Sequence, residues 1–305
     1  MKSNTRREFL SSALSLGAAG FFMAGCKTMD TVTQAMKESN LISDSQAASL
    51  NRVGTAVGKS FESFTPEQEY YIGRTIGAMV LETYPPYNNP VANAYLNRLG
   101  QTLATASDRP ETYAGYRFMI QNSNEINAFA APGGFIFVTR GLIHCCPDED
   151  SLAGVLAHEI SHVEKKHGLG AIQQSRITKA VTILGQEGTK HFGSGEVKNL
   201  TAAFSDTISD ITHTLVVSGY SRGQEKEADL AAAELVDRVG YNPQGLMRML
   251  DQMSSRLEPN ARDFARTHPS PQDRMAVLKR VVGPYKPYTT PEQRRTRFFQ
   301  QLSKV

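Results

Sequence analysis

The sequence predicts an α+β protein that is mainly α-helical and has one small antiparallel sheet. Helix-start signals with proline at the first helical position stand at Thr65-Pro66, Asn89-Pro90 and Ser270-Pro271. Two segments of strand length, 116–121 and 135–139, are rich in aromatic and β-branched residues, with turn residues between them. Residues 151–168 follow and place apolar side chains at helical spacing. The sheet is therefore expected directly before a long helix.

The first 25 residues are predicted to be an export signal and no part of the fold. Arg6 and Arg7 precede an apolar run that ends at Ala24, as in a twin-arginine signal. Residues 23–26, Met-Ala-Gly-Cys, resemble a bacterial lipobox, which would make Cys26 the acylated first residue after cleavage. The alternative is a plain cleaved signal with an incidental cysteine. Lys27 stands where an inner-membrane retention signal has aspartate, so we expect attachment to the outer membrane, facing the periplasm.

The remaining chain divides by composition into a tether, a domain and a tail. Residues 26–63 are rich in Ser, Thr, Ala and Gln and predict a tether with loosely docked helices. Residues 64–283 predict one folded domain, with a glycine-bearing loop near 186–196. Residues 284–305 predict a tail that docks on the domain through the segment around Phe298. No segment after the signal is apolar enough to span a bilayer, so membrane contact is expected through the lipid anchor only.

Charge and cysteine content narrow the possible functions. The formal charge is +3, and no basic stripe indicates a nucleic-acid partner. If Cys26 carries lipid, the adjacent Cys145 and Cys146 remain, and neighbouring cysteines rarely reach disulfide geometry. Two buried thiols are therefore expected in preference to a strained disulfide. Their spacing also fits no zinc–thiolate pattern.

Residues 158–162, His-Glu-Ile-Ser-His, form the pattern with the clearest chemistry. In an α-helix His158 and His162 lie one turn apart on one face, so both imidazoles can reach one metal ion. Glu159 lies about a quarter-turn away, close enough to activate a water at the metal. Gly168 is expected to end this helix, and Gly154 to allow close approach by another backbone or a substrate. A separate stripe is expected to pack in the core: Leu152, Val155, Leu156, Ile160 and Val163.

A catalytic zinc usually has three protein ligands, and residues 221–236 contain the candidate for the third. On a helical wheel Glu225 and Asp229 share a face with apolar residues, whereas Glu227 lies on the polar side. A buried carboxylate is costly unless it is paired. Glu225 as a ligand, and Asp229 as the hydrogen-bond partner of a ligating histidine, would satisfy both groups. The alternative is an acidic helix that bonds to an arginine such as Arg222.

Together these motifs resemble the zinc metalloprotease family that includes the CAAX prenyl protease and bacterial heat-shock membrane proteases. Residues 127–142 and residues 267–274, Thr-His-Pro-Ser-Pro-Gln-Asp-Arg, match further motifs of that family. Within it, the chain is most similar to periplasmic outer-membrane lipoproteins related to the β-barrel assembly-enhancing protease. The resemblance implies a zincin-like metalloprotease domain. Two departures are expected: no membrane spans, and no C-terminal repeat domain after Val305.

The resemblance also implies roles for two further residues. His268 would face the cleft and either stabilise the transition-state oxyanion or occupy the fourth position of the zinc. Arg274 would support the site from the following helix. The remaining histidines have no comparable context and are expected to be structural or exposed: His144, His167, His191 and His213.

The sequence therefore predicts a zinc endopeptidase that binds one Zn²⁺ per chain through His158, His162 and Glu225. Glu159 would take a proton from the attacking water and pass it to the leaving amine. An extended substrate, from unfolded or misassembled envelope proteins, is expected to add to an edge strand formed by Phe135, Ile136, Phe137, Val138 and Thr139. Two alternatives stay open. One is a chaperone-like outer-membrane assembly factor with a latent zinc site, and the other is a purely structural zinc site, which usually has cysteine ligands.

Overall fold

The computed structural model describes residues 64–173, 219–256 and 268–305, with a few isolated positions before residue 64. The chain divides into two compact units, one of Met1–Ser63 with Gln173–Ala203 and one of Phe64–Ile172 with Phe204–Val305. The fold given below is that of the second unit. The predicted signal with Cys26, the tether, the loop near 186–196, His191 and His213 lie outside the described residues.

The second unit is mainly helical, which confirms the predicted fold class. Its elements are α1 (Pro66–Thr83), α2 (Pro90–Ala106), β1 (Arg117–Gln121), β2 (Ala128–Ala131), β3 (Phe135–Thr139), α3 (Arg140–His144), α4 (Glu149–Glu164), α5 (Arg222–Arg238), α6 (Gly245–Ser254), α7 (Pro271–Val282) and α8 (Glu292–Leu302). The predicted start signals act as caps: Thr65 and Gln68 form a complete capping box, and Asn89 and Ser270 accept first-turn amide hydrogen bonds. Among the described helices, none is long and apolar enough to cross a membrane.

The sheet is mixed, and the prediction of an antiparallel sheet is wrong in this respect. β3 is the central strand, and it pairs in parallel with β1 and antiparallel with β2. β2 lies between the two predicted strands, in a segment for which we expected turns at both ends and no strand. Its sequence Ala-Phe-Ala-Ala has little strand propensity. A parallel pair requires a crossover of about a dozen residues or more, and the segment 122–134 that contains β2 is long enough to supply it.

The position of β3 also contradicts the predicted substrate edge. Phe135, Ile136, Phe137 and Val138 all have backbone partners on both sides, so this strand presents no free edge. The outer side of β1 is bonded by asparagines of α2. Asn97 pairs with the Phe118 N–H and carbonyl at 3.1 and 2.6 Å, and Asn93 Oδ1 accepts the Ile120 N–H at 2.9 Å. Among the described strands, β2 forms the opposite edge of the sheet.

Helix α4 lies at the centre of the core, and its predicted stripe is buried. Leu152, Val155, Leu156, Ile160 and Val163 are at most 3 % exposed, and α4 packs against α2, α5, α6 and β2. The predicted end of this helix is wrong. The helix stops at Glu164, and Lys166, with φ 56°, adopts the left-handed conformation that we expected of Gly168. Residues 167–173 are helical again.

The C-terminal tail docks on this core, as predicted. Phe298 is buried in the main hydrophobic cluster, whereas Phe299 is half-exposed. The tail also neutralises acidic side chains at the start of α4. The ion pairs are Asp148 with Arg248, Glu149 with Arg297 and Asp150 with Arg294. Two of these three arginines come from α8, so the tail offsets the desolvation of buried carboxylates.

Helix α6 approaches α4 closely because glycines lie at the contact. A Cβ on Gly154 would lie 2.7 Å from Leu246 N, and one on Gly245 would lie 2.2 Å from the carbonyl oxygen of Asp150.

We expect Gly245→Ala to lower the free energy of unfolding by about 3 kcal/mol, because the clash is with backbone and one helix must move. Denaturant unfolding measures this loss. The control is Gly170→Ala, where a Cβ meets no atom within 4 Å and stability should not fall. Equal stability of the two variants would contradict the prediction.

Candidate metal centre

Three segments of the second unit bring the predicted site residues together. Helix α4 supplies the two histidines and the glutamate of the His-Glu-Ile-Ser-His pattern, and α5 supplies two carboxylates. The third segment is residue 268 with the start of α7. All seven side chains are buried: His158, Glu159, His162, Glu225, Asp229, His268 and Arg274.

The spacing of three side chains fits one tetrahedral metal ion. His158 Nε2 and His162 Nε2 are 3.1 Å apart. The Glu225 carboxylate is 3.6 Å from His158 Nε2 through Oε2 and 3.4 Å from His162 Nε2 through Oε1. Ligand atoms about 2.1 Å from a tetrahedral zinc lie about 3.4 Å from one another. The three donors therefore have the separation that a shared ion requires. The buried group of His158, Glu225 and His268 could likewise hold an ion.

Hydrogen bonds at the outer ring nitrogens turn the inner lone pairs toward the same point. His158 Nδ1 lies 3.0 Å from Asp229 Oδ1 and 3.2 Å from Arg274 Nη2; the shorter contact is to a carboxylate, which only accepts, and it favours Nδ1 as the donor. His162 Nδ1 is 2.8 Å from His167 Nδ1. Among the described residues, Glu225 Oε1 is buried and has no hydrogen-bond partner. Two imidazole Nε2 atoms and a carboxylate oxygen thus converge on one point, an arrangement that a cation would stabilise.

The charges around these donors favour an ionised carboxylate and a positive neighbour. Burial raises the pKa of Glu225, but His268 and the ligand histidines outweigh this effect and hold the pKa well below its usual range. Burial and Arg274 lower the pKa of His158, but hydrogen bonds to Asp229 and Glu225 prevail and raise it to about 9. The carboxylates of Glu225 and Asp229 thus favour a positive charge at this point, and they would stabilise a metal cation for the same reason.

Arg274 holds Asp229 in place behind His158. Its Nη2 donates to Asp229 Oδ1 at 2.6 Å and its Nε to Oδ2 at 3.1 Å, a two-pronged pairing of guanidinium and carboxylate. Burial raises the pKa of Asp229, but Arg274 and then His158 prevail and lower it. The carboxylate is therefore kept ionised, with an oxygen available to the His158 ring.

Comparison with known proteins identifies the family of this chain. Residues 90–282 match the model described as peptidase family M48. The chain belongs to peptidase family M48. This membership confirms the resemblance found in the sequence, the zincin-like domain and the assignment to the metalloendopeptidases.

Three curated relatives show which known proteins this M48 chain is similar to. It is 26 % identical over 245 residues to the beta-barrel assembly-enhancing protease of Escherichia coli K12, an alignment that covers 79 % of this chain and 48 % of the relative. It is 30 % identical over 159 residues to the mitochondrial metalloendopeptidase OMA1 of Schizosaccharomyces pombe, covering 50 % and 42 %. It is 26 % identical over 162 residues to the metalloprotease YcaL of Escherichia coli K12, covering 53 % and 60 %. The chain thus spans about half the length of these relatives.

Glu159 and His268 lie beside His158 and Glu225. Burial raises the pKa of Glu159, although the nearby His158 and His268 act to lower it. His268 Nδ1 lies 2.8 Å from Glu225 Oε2, and the His268 ring is 5.6 Å from the His158 ring. The side chain of His268 therefore points into the group of ligand atoms.

Sequence reasoning missed two residues that contact His162. Tyr220 stacks on the His162 ring with the centroids 4.0 Å apart, and its hydroxyl donates to the Ala130 carbonyl oxygen at 2.9 Å. His167 is buried, which agrees with the structural role that was one of the two expectations for it, and it contacts His162, which the sequence did not predict. In an uninterrupted helix it would lie about 140° around the axis from His162, so helical periodicity gave no signal for it.

Four other side chains agree with the sequence predictions. Cys145 and Cys146 are free and buried, which confirms the expectation of two thiols. Burial raises the pKa of both thiols, so neither is primed as a nucleophile. His144 is exposed, as expected. Glu227 lies on the exposed side of α5, as the helical wheel predicted.

Proposed function

We propose that this M48 peptidase is a zinc-dependent endopeptidase of the bacterial cell envelope. The observation that carries the proposal is the convergence of His158, His162 and Glu225 at the spacing of zinc ligands, beside Glu159 on the same helix. When bound, zinc would supply Lewis acidity to the scissile carbonyl and lower the pKa of the attacking water.

The protein's own proton carrier in this proposal is Glu159. Its carboxylate takes a proton from the water as the water attacks the peptide carbonyl, and then delivers that proton to the leaving amine. A pKa raised by burial suits this cycle, because a base must also give its proton back. Asp229 and Arg274 would hold the His158 ring in the orientation that presents Nε2.

His268 would close the fourth position of the ion when substrate is absent. Its Nδ1 lies at hydrogen-bond distance from Glu225, in the middle of the ligand group, and its side chain is almost fully buried. An incoming peptide carbonyl would compete for this place. His268 would then leave the fourth position and donate a hydrogen bond to the developing oxyanion, which is the other role that the resemblance implies.

The polypeptide substrate would add to the edge of β2 and not to β3, the strand that the sequence suggested. Asparagines of α2 occupy the outer side of β1, whereas β2 packs against α4 and lies near the centre. Tyr220 links β2 to the centre, because its hydroxyl donates to the Ala130 carbonyl while its ring stacks on His162. Backbone pairing at such an edge binds extended chains with little sequence demand.

The proposed location and substrates rest on the sequence and on the name of one relative. The export signal and the lipobox at Cys26 support a lipid anchor in the outer membrane, facing the periplasm. A relative is named a beta-barrel assembly-enhancing protease, which supports unfolded or misassembled envelope proteins as substrates. The position of His268 beside Glu225 also favours a second candidate, an assembly factor with a latent zinc site.

Removal and return of the metal tests the enzyme proposal. We expect the purified chain to cleave unfolded casein, to lose this activity when a chelator removes its zinc, and to regain it with one equivalent of Zn²⁺ per chain. Gel analysis of the fragments and metal analysis of the protein follow both changes. Cleavage that persists in zinc-free protein would refute the mechanism. Bound zinc without cleavage, in a chain that still rescues outer-membrane assembly, would favour the second candidate.

A further inference from the structure

We infer that His167 is a positioning residue for the metal centre, which accepts the Nδ1–H of His162 and thereby turns His162 Nε2 toward the ion. Glu227 anchors His167 from the surface of α5. The inference rests on the proposed zinc site and adds to it a second support, parallel to the one that Asp229 gives His158.

The backbone places His167 for this contact. A continuous helix would carry residue 167 away from His162, because five residues rotate the side chain by about 140° around the axis. Instead α4 stops at Glu164 and Lys166 takes the left-handed conformation, with φ 56°. This turn brings His167 back under His162, so that the two Nδ1 atoms are 2.8 Å apart and the ring centroids 5.0 Å apart. Non-glycine residues adopt this conformation at a cost, which the surrounding structure must offset.

The contacts at both ends of His167 give its hydrogen bonds a direction. His167 Nε2 lies 3.3 Å from Glu227 Oε2, and since a carboxylate only accepts, this nitrogen carries the proton. A neutral imidazole has one protonated nitrogen, so His167 Nδ1 is an acceptor. His162 Nδ1 must then donate, which leaves the lone pair on His162 Nε2, the atom that faces His158 and Glu225. Partners of this kind fix the tautomer and orientation of ligating histidines.

Two substitutions at His167 separate this role from packing. His167→Leu removes the acceptor, whereas His167→Asn puts Oδ1 in the position of Nδ1. We expect zinc affinity, measured by competition with a chelator, to fall about 10–100-fold in His167→Leu. His167→Asn should stay close to the unmodified chain. His144→Leu, at an exposed histidine, is the control and should leave the affinity unchanged.

A variant at the surface keeps the test valid if His167→Leu does not fold. Glu227 has a side chain that is 55 % exposed, so Glu227→Ala should keep the unfolding midpoint of the metal-free protein and still weaken zinc binding. Equal zinc affinity in the folded Leu, Asn and unmodified chains would overturn the inference. A chain that binds zinc but never cleaves would refute the proposed function alone, because the affinities would still decide the role of His167.

Discussion

Replacement of Glu159 by glutamine is expected to remove almost all peptide hydrolysis while the zinc stays bound. The Glu159 carboxylate is not one of the three donors that lie at ligand spacing, but it is buried and close to His158 and His268. Glutamine keeps the shape of the side chain and cannot take a proton from water. General acid–base groups contribute about 10²–10⁴-fold to rates, so kcat for casein cleavage should fall by that factor.

Two measurements on the same protein check this prediction, one of cleavage and one of bound zinc. The control is Glu234→Gln, a glutamate on the exposed side of α5, which should retain both. A Glu159→Gln chain with unchanged cleavage would show that another base acts. A chain that lost its zinc would instead mean that Glu159 holds the ion, contrary to the spacing found for His158, His162 and Glu225.

Local geometry explains why much of this centre could be read from the sequence. Helical spacing alone sets His158 and His162 on one face, and the wheel separates Glu225 and Asp229 from Glu227 because burial on a helix follows its period. In the structure the first two carboxylates are 1 % exposed, whereas Glu227 lies at the surface. Helix starts were equally legible, because cap and proline signals act within one turn.

Features that depend on distant contacts could not be read in this way. β2 is a strand because β3 needs a partner on that side, although its alanines give little local preference. Lys166 occupies a position where glycine is usual, and this one backbone choice moves both the end of α4 and the place of His167. In each case tertiary contacts outweigh the local conformational preference of the residues.

Replacement of Glu225 by alanine is expected to release the zinc. The affinity for zinc should fall by more than about 100-fold, the largest loss that is typical when a hydrogen-bond partner of a ligand is removed. Here a direct donor is removed, so only two of the three protein ligands remain. The fold should survive. Asp229 stays paired with Arg274, so the buried carboxylate that remains on α5 keeps its neutralising partner.

Glu234→Ala is the matched control, since it removes the same side chain from the exposed face of the same helix. Metal analysis after gel filtration, together with unfolding of the metal-free proteins, separates release of zinc from loss of structure. If Glu225→Ala kept its zinc, His268 would have to be the third ligand, because its Nδ1 lies 2.8 Å from the carboxylate oxygen that would be missing. Glu225→Ala/His268→Ala would then lose the ion, and this result would move His268 from gating the site to holding the metal.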